Sequence, residues 1–214
     1  MRKVLILVLA ATALAVGATA WGSGGDSAQK NVHAMAMTPA TPPELAPLVA
    51  DARFATAKFA TSLRRAKRAG YRTIVTQHIP DMGWHFMNPN ITGFDVTRPP
   101  ILVYVKRGHR WQLVAFEWVF TQRPVPDPLP GAQYGSFPAA CHYVDGTFVL
   151  EPNQANCPRR SPISGARFAF WHPDFVTLHL WLWYPNPDGI YAGMNPLISP
   201  FKLAGVTPDG CPRA

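Results

Sequence analysis

Two histidines and a glutamate each sit inside a run of large apolar residues. His85 lies in Met82-Gly83-Trp84-His85-Phe86-Met87, Glu117 in Leu113-Val114-Ala115-Phe116-Glu117-Trp118, and His179 in Leu178-His179-Leu180-Trp181-Leu182-Trp183. A polar group buried without a partner is costly, so each of these side chains needs something to bind. Two imidazoles and one carboxylate form a ligand set for iron or zinc that leaves positions open for water or substrate. No local metal spacing such as H-x-H or H-E-x-x-H joins the three, so the fold would have to bring them together. An isolated Glu–His or Glu–Arg pair, or a Glu117 that faces solvent, would account for the same residues.

Aromatic side chains flank the three. Trp84, Trp181 and Trp183 are candidates for the wall of a ligand pocket, although tryptophans at such positions, Trp111 and Trp118 included, more often build core. Gly83 is two residues from His85 on the same strand face, and its missing side chain is expected to leave space beside the imidazole. His78 and His109 read as strand-end or turn residues, His142 follows Cys141 and His172 precedes a proline, and any of the four could support a ligand from behind. No glycine-rich phosphate loop, nucleophile elbow or Cys–His catalytic signature is present, which disfavours the familiar serine hydrolase routes.

The elements that would position these residues are one helix and a series of strands. Thr41-Pro42-Pro43-Glu44 reads as a capped helix start. Leu45, Leu48, Ala52, Ala55, Phe59, Leu63 and Ala66 then recur at spacings of three and four, the apolar stripe of one long amphipathic helix. Gly70 would close it with a left-handed cap. Strands are expected at Tyr71 to His78, Trp84 to Met87, Ile101 to Lys106 and Trp111 to Phe120, the last two joined by a hairpin at Arg107-Gly108-His109. Strict alternation along the last of these puts Trp111, Leu113, Ala115, Glu117 and Val119 on one face. Arg123 to Pro138 reads as a loop with no element of its own. A hairpin around Asp145-Gly146 and strands at Arg167 to Trp171 and Phe175 to Tyr184 follow. The fold class is α+β: a long N-terminal helix packed on a mostly antiparallel, curled or barrel-like β-sheet.

These segments together resemble an uncharacterised family of small exported bacterial proteins. The resemblance rests on a helix ending in Ala69-Gly70-Tyr71, then Met82-Gly83-Trp84-His85 with Asn88-Pro89, the stretch Leu113 to Trp118, and Leu178 to Trp183 with Asn186-Pro187 and Asn195-Pro196. It covers about Leu45 to Pro200 and implies that the segments belong to one unit. The strand-borne histidines and glutamate are also distantly similar to those of cupins, from which the chain departs by lacking the paired H-x-H motif.

The N-terminus reads as a secretory signal peptide: Arg2 and Lys3, an apolar run from Val4 to Val16, and cleavage near Ala18-Thr19-Ala20. Residues 21–40 read as a flexible linker, and 41–214 as a single domain. The linker holds His33, Met35 and Met37, soft donors that suit cuprous copper but are equally ordinary in a tail. Export implies an oxidising compartment, secreted or periplasmic, so one disulfide is expected among Cys141, Cys157 and Cys211. Cys141 and Cys157 are the most local pair, and Cys211 could replace either. The chain carries 20 Lys and Arg against 12 Asp and Glu. The basic residues form no single block, so nucleic acid is not the expected partner, while contact with an anionic cell surface remains open. The sequence therefore points to an exported protein that binds a divalent metal (zinc, iron or copper) or a small ligand inside a small β-barrel. The alternative is a non-catalytic envelope binding or structural module with no metal.

Overall fold

The apolar stripe at the start of the domain is real, but it does not form one helix. The protein is described by a computed structural model that covers residues 41–202. The expected signal peptide, the linker with His33, Met35 and Met37, and Cys211 lie outside those residues. Helix α1 (Leu45–Thr56) gives way to a 3-10 turn (Ala57–Phe59), and a second helix, α2 (Leu63–Arg68), follows. The expected long helix is thus corrected to two short ones, and the sheet beneath supplies the reason. The Tyr104 hydroxyl donates to the Phe59 carbonyl at 2.9 Å, and the Leu113 N–H donates to the Ala60 carbonyl at 2.8 Å. The Ala60 carbonyl is thereby lost to the helical ladder, and the Phe59 carbonyl keeps only a tighter bond from the Ser62 N–H at 3.1 Å.

Local polar side chains reinforce the break. The Thr56 hydroxyl donates to the Ala52 carbonyl at 2.7 Å, and Ser62 caps the restart by accepting from the Arg65 N–H. The first start is not the expected capping box. Glu44 holds the N-cap position without a side-chain bond, and Pro42 and Pro43 accept the first N–H groups through their carbonyls. Gly70 does close α2, with φ +107°, while Tyr71 N–H reaches the Ala66 carbonyl and Gly70 N–H the Lys67 carbonyl.

Six strands form one curled antiparallel half-barrel in the order β1-β2-β3-β4-β9-β5: β1 (Thr73–Ile79), β2 (Gly83–Met87), β3 (Ile101–Arg107), β4 (Arg110–Phe120), β9 (Phe175–Leu180) and β5 (Gly135–Phe137). A smaller sheet, ordered β7-β6-β8, is made by β6 (Ala140–Tyr143), β7 (Phe148–Leu150) and β8 (Phe168–His172). The expected long loop after Arg123 therefore contains a strand of its own, β5, which pairs with β9. A disulfide joins Cys141 on β6 to Cys157. No helix among the described residues is long and apolar enough to cross a membrane.

One face of the large sheet is covered by the helices. Phe86, Leu102, Tyr104, Leu113, Phe116, Trp118, Leu178 and Leu180 pack there with Leu45, Ala52, Phe59, Leu63 and Ala66. The other face carries a smaller cluster: Val103, Val105, Val114, Ala115, Trp181 and Ile198. Strict alternation fails in β4, because Val103 pairs with Ala115 but Tyr104 pairs with Leu113, leaving Val114 as an extra residue. Leu113 and Trp111 consequently join Phe116 and Trp118 on the helix side, rather than Ala115 and Glu117 as alternation predicts. The carbonyl of Val114 accepts the Trp183 N–H at 3.1 Å. This ties the chain beyond β9 back to the bulge.

Candidate metal centre

His85, Glu117 and His179 meet on the inner face of the curled sheet. Register places them there: residues paired across strands share a face. Thr76 pairs with His85, His85 with Val103, and Val103 with Ala115, while two residues along β4 Glu117 pairs with His179. Ala115 and Glu117 lie on the same side of the bulge, so regular alternation from Ala115 puts Glu117 on the face of His85, and the bulge re-aims Leu113 and Trp111 instead. The curl closes the gap from β2 to β4, so the side chain of His85 reaches across β3.

Nε2 of His85 lies 3.5 Å from Oε2 of Glu117, and Nε2 of His179 lies 3.6 Å from Oε1. One ligand atom from each residue falls within 4.8 Å of the others. All three residues are buried, at 2%, 6% and 4% exposure. The two N···O spacings exceed the range of about 2.7–3.2 Å typical of an N–H···O bond. They fit two donors that share an ion at about 2.0–2.1 Å each, which tetrahedral angles place about 3.4 Å apart. His179 Nε2 has no hydrogen-bond partner among the described residues. The buried His–Glu–His group can therefore hold a metal ion inside the curled sheet.

Without an ion the group is electrically neutral. Burial holds the His85 imidazole down to about 3, with nearby His179 a smaller contribution, and holds His179 down to about 4. Burial pushes the Glu117 carboxyl up to about 8. The proximity of an acid to two bases thus does not amount to an ion pair, since desolvation disfavours the charged form of every member. Near neutral pH the site holds two neutral imidazoles and a protonated carboxyl.

A fourth residue completes the arrangement. Nδ1 of His85 and Oγ1 of Thr76 are 2.6 Å apart, and Thr76 is buried. Sequence reading missed Thr76; its signal was the tight β1–β2 hairpin, which brings Thr76 opposite His85, although two register shifts within that hairpin obscure the pairing.

The three tryptophans separate. Trp181 stands beside the site, its ring stacked on His179 with centroids 6.4 Å apart. Trp84 points to the opposite face from His85, as adjacent residues on a strand must, and meets Trp111 edge to face at 5.7 Å. Trp183 lies past the end of β9 and donates to the Thr56 hydroxyl at 3.2 Å, on the helix side. Neither Trp84 nor Trp183 lines the site. Gly83 also has a different reason from the one expected. Its φ is +108°, and a Cβ there would stand 2.6 Å from the Tyr104 carbonyl oxygen, so it permits close approach of backbone to β3. His142 and His172 form a separate pair on the smaller sheet, with ring centroids 4.9 Å apart and phenylalanine rings around them. Comparison of the chain with protein-family models, with curated proteins and with solved structures finds no match.

Proposed function

We propose that the protein binds one divalent metal ion through His85 Nε2, His179 Nε2 and the Glu117 carboxylate. The observation that supports this most strongly is the convergence of three buried donors at spacings too long for hydrogen bonds and right for a shared ion. When His85 donates Nδ1–H to Thr76 Oγ1, its Nε2 lone pair is left for the metal, the usual arrangement in which an outer partner orients a ligating imidazole. Zinc and ferrous iron suit two imidazoles and a carboxylate best, and copper(II) accepts them. A three-ligand set leaves a position for water or a small ligand, and the bound ion would act there as a Lewis acid.

We further propose that the protein works outside the cytoplasm. The charged, then apolar, then small-residue pattern of residues 1–20 supports this, and the Cys141–Cys157 bond is compatible with an extracellular or periplasmic location. Protein stripped with a chelator and then mixed with zinc, ferrous iron or copper tests the metal reading through its thermal melting. A saturable rise in Tm with one of them, absent from a His85→Ala/His179→Ala variant, is the expected result. An equal response in both proteins would point to binding elsewhere.

A further inference from the structure

A basic groove lies on the far side of the large sheet, between α2 and β4. The groove there has a volume of about 390 Å3 and is lined by Leu63, Arg64, Lys67, Arg68, Arg72 and Trp111. Positions 52–80 hold seven basic residues and no acidic one. The four cations of the groove are exposed, and among the described residues none of them makes an ion pair. A fifth cation reaches the same wall from the β3–β4 hairpin, Lys106 Nζ standing 5.8 Å from the Trp111 ring centroid.

Two of the cations are held in place by backbone and ring contacts. Arg72 Nε donates to the Lys67 carbonyl at 2.9 Å, and Lys67 Nζ lies 5.2 Å from the Phe86 ring centroid. Like charges gathered in a hollow repel one another, and among the described residues no ion pair offsets that repulsion. Guanidinium groups present paired N–H donors that match the oxygens of a phosphate, and several of them around one hollow suit a multiply charged anion. The floor is different: Leu63 is buried and Trp111 half-buried, which gives an apolar surface beside the charge.

We propose that this groove binds a phosphate group, with the adjoining part of the ligand resting on Leu63 and Trp111. A soluble phosphate compound and the head of an anionic lipid share that chemistry, and the test separates the two sources. Binding of inorganic phosphate is measured by calorimetry. Binding of phosphatidylcholine vesicles, with and without phosphatidylglycerol, is measured by co-sedimentation at physiological ionic strength.

Two variants of equal charge are compared. Arg64→Ala/Arg68→Ala/Arg72→Ala removes the three guanidinium groups of the groove, and Arg159→Ala/Arg160→Ala/Arg167→Ala removes the same charge from a second basic hollow elsewhere. The expected result is binding weakened by about tenfold or more in the first variant, as when charge-assisted bonds are lost, and nearly unchanged in the second. Binding of inorganic phosphate assigns the soluble source, and binding only to vesicles that contain phosphatidylglycerol assigns the lipid head. If the triple variant fails to fold, Arg64→Ala/Arg68→Ala keeps the Arg72 anchor and carries the same expectation. Equal loss in both variants would reduce the effect to net charge and overturn the proposal, as would no binding of either probe.

Discussion

Glu117 and His179 are register partners on β4 and β9, and their Oε1 and Nε2 atoms stand 3.6 Å apart with no hydrogen bond between them. Two buried groups that could bond and do not are held at a spacing that suits a third participant. His85 repeats the relationship from β2, 3.5 Å from the other carboxylate oxygen. The consequences for stability, protons and affinity can each be measured.

The metal-free protein is expected to be most stable near pH 6.5. Glu117 is raised from 4.5 to about 8, so its contribution is full below 4.5 and is lost as pH rises through 8. His85 and His179 are lowered from 6.5 to about 3 and about 4, so theirs is full above 6.5 and is lost as pH falls toward those values. Two histidines outweigh one glutamate below 6.5, and Glu117 alone among the three acts above it. Between pH 6.5 and 8 the fall is about 2 kcal/mol, at roughly 1.4 kcal/mol per pH unit for one proton. Glu117→Gln keeps the neutral shape and should abolish the decline, as chemical denaturation of metal-free protein at the two pH values would show.

Metal binding should release one proton per ion between pH 6.5 and 7. The imidazoles are already neutral there, and only the Glu117 carboxyl must give up a proton to ligate. Calorimetry in buffers of different ionisation enthalpy reads this number directly. A value of zero would mean that Glu117 is not a ligand.

Thr76→Val should weaken metal binding by about 10–100-fold, the usual effect of losing the partner that orients a ligating imidazole. Thr76→Ser should restore it, because the hydroxyl that meets His85 Nδ1 at 2.6 Å is retained. Competition against a chromophoric chelator compares the three proteins. Equal affinity for all of them would remove Thr76 from the site.

The strands that carry His85, Glu117 and His179 were legible from alternation and from their β-branched and aromatic content. Their convergence was not, because β4 and β9 pair across an excursion that holds the whole of the smaller sheet. The Val114 bulge was equally hidden: no residue type in Leu113-Val114-Ala115 announces it, and it moves Leu113 and Trp111 to the helix side. The helix stripe from Leu45 to Ala66 was visible, but its interruption depends on the Tyr104 hydroxyl and the Leu113 N–H, both distant in sequence. Trp84 was misplaced for a simpler reason. It is adjacent to His85, and adjacency on a strand means opposite faces.

Tyr104→Phe tests the account of that interruption. It removes one of two donors to the Phe59 carbonyl, which keeps the Ser62 N–H at 3.1 Å, and should destabilise the fold by about 0.5–1.5 kcal/mol, the net worth of one hydrogen bond. Metal affinity should be unchanged, since Tyr104 lies on the helix side of the sheet. Unfolding in denaturant with and without the ion separates the two effects.

The central claim is tested most directly by the metal content of protein purified without a histidine tag. Mass spectrometric elemental analysis should find close to one equivalent of zinc, iron or copper in the unaltered chain, and almost none in the Glu117→Gln and His85→Ala/His179→Ala variants. No bound metal in the unaltered chain, even after reconstitution, or an equal content in all three proteins, would contradict a metal centre at His85, Glu117 and His179.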